Sequence, residues 1–197
     1  MKLLRLTVLL LAGLALRVGA TDLTPHFINQ SRDGVMIRCP YFADGSRKFG
    51  IRIDAETELS AFEGGALFRF AKMPEASMRL RRSPVPPETG FGPETFEGYQ
   101  QAARSLLPPG AAGVTLVESA SNPFPINHWE SLRITYSYQI ANQTHRQSAT
   151  FLNLKPTEQI VVQSTADERH FEDVSNRAFG IVRRWHEILP EEAEPFN

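Results

Sequence analysis

Cysteine is almost absent: the chain has 197 residues and Cys39 is its only one. A lone cysteine excludes an internal disulfide framework and any multi-cysteine metal site. Its setting, Val35-Met36-Ile37-Arg38-Cys39, predicts a small buried hydrophobe on a short strand stopped by Pro40. An excess of charge is also missing, since 21 basic side chains face 22 acidic ones for a formal net charge of −1. That balance provides no electrostatic footprint for nucleic acid or anionic lipid. The chain likewise lacks a long apolar run. Leu9 to Leu16 falls short of the roughly 20 apolar residues a membrane span needs.

Catalytic signatures are missing as well. There is no Gly-x-Ser-x-Gly elbow, phosphate-binding glycine loop or dinucleotide fingerprint. The five histidines, His26, His128, His145, His170 and His186, include no pair at the His-x-x-x-His spacing of a metal ligand set. No catalytic residue, metal site or cofactor is therefore expected. The acids of Asp54-Ala55-Glu56-Thr57-Glu58 lack the glycine and the spacing of a calcium loop and read as a solvated loop. Glu94 and Glu97, like Glu168 and Glu172, read as partners of helix dipoles. No solenoid-length repeat is visible.

What is present begins with a leader. Lys2 and Arg5 precede the apolar stretch, and Val18-Gly19-Ala20 supplies small residues at a cleavage position, the pattern of a secretory signal peptide spanning 1–20. Its removal takes away Lys2, Arg5 and Arg17 and no acid, which shifts the formal charge from −1 to −4. The rest is enough for one core-bearing domain, 21–190, followed by an acidic tail, 191–197. The expected location is periplasmic or extracellular, with no stable membrane span after cleavage.

Alternation and turn residues then divide the chain. Thr21 to Arg32 is polar and ends in the turn Asp33-Gly34. Lys48 to Asp54, Ala66 to Ala71 and Met78 to Arg82 read as strands. The Pro- and Gly-rich stretch from Ser83 leads to Pro93 at a helix start. Phe96, Tyr99, Ala103 and Leu106 follow at helical spacing. Val114 to Ser119 is extended. Leu132 to Ala141 alternates Leu132, Ile134, Tyr136, Tyr138 and Ile140 with polar residues. A turn at Asn142-Gln143-Thr144 leads to Gln147 to Lys155, and Gln159 to Ser164 makes a third strand apolar on both faces, hence covered on both. Thr165 and Glu168 have capping-box spacing, so a closing helix is expected from about Ala166 to Leu189. Phe171, Val174, Ala178, Ile181, Trp185 and Ile188 form its buried stripe, and Asp173 pairs with Arg177 on its surface.

This order of elements, carried by Ile134 to Tyr138, Gln147 to Leu154, Gln159 to Val162 and Phe171 to Trp185, resembles the PsbP-like class, including the DcrB-type exported proteins. The resemblance spans about Gly34 to Leu189. It implies an α+β fold, an antiparallel sheet covered by helices on both faces, and a non-enzymatic binding or assembly role. The lipobox of the DcrB type is missing here.

The candidate binding residues are Arg79 and Arg81, which share a strand face and suit a carboxylate or phosphate, and His128 and Trp129 in a polar loop. The expected function is that of an exported, non-catalytic binding or assembly protein of the cell envelope with a protein partner. The alternative is a secreted hydrolase or small-ligand enzyme whose site is assembled from distant residues. A pocket lined by two or more of His128, His170, Glu118 and Asp54 would mark the enzyme. A flat surface bearing Arg79, Arg81 and Trp129 would mark the binder.

Overall fold

A computed structural model describes residues 20–32, 34–121 and 127–189. The expected signal peptide (but for its last residue), Asp33 of the expected turn, the whole Asn122 to Pro125 loop and the acidic tail lie outside these residues. The fold is α+β: two antiparallel sheets and two helices. The chain runs β1 (Asp22–Arg32), β2 (Val35–Asp44), β3 (Arg47–Gly50), β4 (Thr57–Phe62), β5 (Gly65–Phe70) and β6 (Met73–Arg82). Two short turns of 3-10 helix, Pro87–Thr89 and Pro93–Thr95, lead into α1 (Phe96–Ser105). Then come β7 (Ala112–Ser121), β8 (Ser131–Ile140), β9 (Gln143–Lys155), β10 (Glu158–Asp167), α2 (Phe171–Arg183) and β11 (His186–Ile188). The large sheet has the order β4-β5-β6-β10-β9-β8-β7 and the small one β1-β2-β3-β11.

β10 sits at the centre of the large sheet, paired with β6 on one side and β9 on the other. Its Ile160 and Val162 point to one face and Val161 to the opposite one, and all three are buried. On the first face α2 contributes Phe171, Val174, Ala178, Ile181 and Val182 to a core shared with Phe68, Met78 and Leu80. Leu23, Phe42 and Ile51, from the small sheet and the segment after it, join the same core. On the second face Tyr99, Ala103 and Leu106, on α1 and at its end, pack on Leu132, Ile134, Ala149, Phe151 and Val161. A strand apolar on both sides thus receives helical cover on both sides.

Polar side chains fasten α1 to the sheet. The Gln159 Nε2 amide donates to the Tyr99 hydroxyl at 2.9 Å and to Asn153 Oδ1 at 2.8 Å. Gln163 Nε2 donates to the Leu106 carbonyl at 3.1 Å and to Gln147 Oε1 at 2.8 Å. Both buried amide nitrogens are thus paired, as burial demands.

Several expected boundaries move. The polar stretch Thr21 to Arg32 is mostly strand β1. Among the described residues it is an edge strand with one neighbour, and no apolar alternation marks it. Pro40 does not stop β2: it pairs with Phe27, and its carbonyl accepts from the Ile51 amide at 3.1 Å. Cys39 is only partly buried, with its thiol donating to Gln30 Oε1 at 3.2 Å. β3 ends at Gly50 rather than at Asp54, and β4 occupies part of the expected acidic loop.

The β8–β9 turn is the two-residue pair Ala141-Asn142, with φ of 49° and 64°. Two successive left-handed residues match the twist of a tight hairpin, so β9 starts at Gln143 and needs no wider loop.

The closing helix is shorter than its apolar stripe suggests. Thr165 and Ala166 belong to β10, because Thr165 is paired to both Gln147 and Ser77. Glu168 does not reach back as a capping-box acid; it binds Arg146 at 2.7 Å. Asp167 makes the turn instead, its Oδ1 accepting from the Arg169 and His170 amides at 2.9 and 3.0 Å. Trp185 and Ile188 are buried as expected, but they lie beyond α2, on the segment that leads into and forms β11. Arg177 ignores Asp173 and pairs with Asp54 and Glu56 at 3.3 and 3.5 Å.

Candidate functional site

α1 covers only the β8, β9 and β10 part of the second face. The remaining part is built by β4, β5 and β6, and alternation sends Glu58, Ser60 and Phe62, then Leu67 and Arg69, then Ser77, Arg79 and Arg81 toward it. The register aligns Ser60 with Leu67, Leu67 with Arg79 and Arg69 with Ser77. The opposite faces of these strands hold the buried Phe68, Phe70, Met78 and Leu80. Core burial on one side therefore fixes the direction of the arginines on the other.

Arg79 and Arg81 share this face, as their spacing predicts. Arg79 is half-buried, its guanidinium 4.9 Å from the centre of the Phe62 ring, close enough for a cation–π contact. Its Nε is sealed from water and has no hydrogen-bond partner among the described residues. Arg69 is exposed. Glu58, opposite Arg69, is the acid of this face.

β4 is one outer strand of the large sheet, paired among the described residues with β5 alone. Beside it runs an open groove of about 480 Å³. Phe27 and Arg38 from the β1–β2 hairpin wall it on one side, Ile53 and Leu59 give it apolar surface, and Glu58 and Arg69 border it. Arg38 stacks over Phe27 at 3.9 Å. Farther out the hairpin exposes Val35, Met36 and Ile37. An unpaired strand edge next to apolar and cationic side chains can take an extended polypeptide.

His128 and Trp129 lie elsewhere. His128 is exposed in a left-handed conformation, with φ of 64°. Asn127 ties this loop to α2 by donating to the Trp185 and Val182 carbonyls at 3.4 and 3.5 Å. Trp129 is half-buried, edge-on to Trp185 with centroids 5.9 Å apart, and belongs to the first-face core. It is therefore across the sheet from Arg79 and Arg81, and the three do not form one surface. Arg38 and Phe27 were not legible as site residues, because nothing local in sequence brings them to β4.

A second concavity, of about 460 Å³, lies at the end of the large sheet near the start of α2. Asp167 Oδ2 holds His170 Nδ1 there at 2.7 Å. That hydrogen bond, with those from the His170 and Arg169 amides, lowers the Asp167 carboxyl below its ordinary value. Of His128, His170, Glu118 and Asp54 only His170 lines this pocket, and Glu118 is held by Arg133 at 2.8 Å. Burial pushes the Tyr138 phenol up to about 12. Among the described residues no cluster of three His, Cys, Asp or Glu side chains could hold a metal ion. No helix of the described residues is long and apolar enough to cross a membrane.

No protein-family model and no curated protein sequence matches the chain. Solved structures resemble it in fold. LpqN, involved in cell envelope biogenesis of Mycobacterium tuberculosis, is 10% identical with a TM-score of 0.46, covering 75% of this chain and 87% of that one. The cyanobacterial PsbP of Synechocystis sp. PCC 6803 is 11% identical with a TM-score of 0.43, covering 84% and 94%. PA94, a protein of unknown function from Pseudomonas aeruginosa, is 12% identical with a TM-score of 0.38, covering 87% and 99%. The cyanobacterial PsbP is thus among the solved structures to which the chain is similar.

Proposed function

We propose that this is an exported protein of the cell envelope that acts by binding a polypeptide partner, without catalysis. The docking surface is the uncovered half of the second face together with the β4 edge. The observation that carries this reading is the meeting of Arg69, Arg79 and Arg81 with a strand edge beside a groove of mixed apolar and charged walls. Edge backbone groups supply affinity to an extended segment, while side-chain pockets and charges select its sequence. The partner segment on this account is extended, with apolar side chains alternating with acids. Export rests on the leader pattern of 1–20.

Arg69→Glu with Arg81→Glu is the test, with Arg79 kept because its guanidinium lies over the Phe62 ring. The double variant should melt within about 2 °C of the parent, as surface changes of roughly 0.5 kcal/mol do in a chain of this size. It should also lose the proteins that co-purify with the parent from native envelopes. An unchanged set of co-purifying proteins would refute the surface.

A further inference from the structure

Thr21 is the residue that would follow a cleaved leader, and it is almost wholly buried, at 2% exposure, whereas Ala20 is exposed. Strand pairing starts one residue later, at Asp22 opposite Ala43. Thr21 thus lies just outside the sheet, and a carboxylate receives it. The Glu158 side chain is 3% exposed. Its Oε1 accepts from the Thr21 backbone nitrogen at 2.9 Å and its Oε2 from the Thr21 hydroxyl at 2.8 Å. Arg82 spans the pair, donating to Glu158 Oε1 at 3.0 Å and to the Thr21 carbonyl at 2.5 Å.

We infer that Glu158 and Arg82 form a socket for the α-ammonium created when the leader is cut between Ala20 and Thr21. This inference rests on the export reading given above. Hydrolysis of that amide bond by a leader-removing endopeptidase consumes one water and leaves a carboxylate on Ala20 and an ammonium on Thr21. The backbone nitrogen already in contact with Glu158 then carries a full charge. The bond, charge-assisted through the carboxylate alone before the cut, then joins two opposite charges.

The other charges at the socket are Lys155, Asp44 and Arg47. Lys155 stands 3.2 Å from Glu158 and 2.7 Å from Asp44, and Asp44 also binds Arg47. Asp44 is the nearer acceptor for Lys155, so Glu158 has capacity for the new cation.

Two measurements test the socket. The first is the N-terminus of the exported protein by intact mass, expected at Thr21. A different end overturns the inference. The second compares a chain beginning at Thr21 with the same chain acetylated on that nitrogen. Ala20 already occupies the acetyl position and is exposed, so the change removes charge without crowding. The acetylated chain should melt about 3–8 °C lower, and in Glu158→Gln the two forms should melt within a degree of each other. Equal melting in the parent, or an undiminished gap in Glu158→Gln, overturns the socket. Should Glu158→Gln fail to fold, labelling of the parent by an amine-reactive ester decides. The Thr21 amine should react at least tenfold more slowly in the folded than in the denatured chain, and equal rates contradict the proposal. Neither measurement involves the partner surface, so the socket and the binding reading can fail separately.

Discussion

Trp185 shows what single residues in this chain reveal and conceal. Its burial follows from its place in the stripe that begins at Phe171. Its neighbours do not: the ring lies 5.0 Å from Phe42, 5.9 Å from Trp129 and 6.3 Å from Phe49, three aromatics from distant parts of the chain. Truncating a buried Trp costs about 3–5 kcal/mol. Trp185→Ala should therefore lower the melting temperature by roughly 10 °C, and a variant within a degree or two of the parent contradicts this packing. Asp167 has a different signature. Its carboxyl is lowered in the folded state, first by the His170 hydrogen bond. Stability from that carboxylate is therefore present above its ordinary value of 3.8 and is lost as pH falls through the lowered value. Asp167→Asn should melt below the parent at pH 6, and the gap should close as the pH drops below 3.8. A gap independent of pH would place the effect in packing instead. Cys39 marks the limit of local reasoning: the apolar residues before it suggested burial, yet Val35, Met36 and Ile37 are exposed.

At the scale of elements, legibility follows burial. β5 and β8 carry apolar alternation, and β9 and β10 apolar runs, because they face the core, and the sequence shows them. β1 and β4 are outer strands with polar residues in water, so nothing in their composition separates them from loops. The ends of α2 were hidden for another reason. Its apolar spacing continues through Trp185 and Ile188, but pairing of His186–Ile188 with Lys48, Phe49 and Gly50 pulls that segment into a sheet. Hydrogen bonds to a partner distant in sequence thus override a local helical pattern. The β4–β5–β6 unit that bears the arginines depends on one close approach. A Cβ added at Gly65 would lie 2.2 Å from the Leu80 carbonyl oxygen, on β6. Backbone cannot yield as a side chain tip does, so Gly65→Ala should lower the melting temperature by roughly 4–8 °C, the effect of about 2 kcal/mol of overpacking. A neutral Gly65→Ala would mean that β5 and β6 are less closely held than described.

For the whole molecule, the decisive feature is unequal cover of the central sheet. Among the described residues the first face is closed by α2 and the small sheet, the second by α1 and the segment before it over β8 to β10. The two-sided cover of β10 was legible from its continuous apolar run. The uncovered half was only partly so: Arg79 and Arg81 were visible as a pair, while Arg69, Arg38 and the β4 edge needed the tertiary arrangement to join them. Site-specific photocrosslinking tests the central claim directly. A crosslinking residue at Ser60, exposed on β4, is compared in intact cells with one at Gln101, exposed on α1. The expected result is a discrete polypeptide adduct from position 60, absent from position 101 and lost in Arg69→Glu/Arg81→Glu. No adduct at position 60, or one shared with position 101 and unaffected by the charge reversals, would contradict binding at this surface.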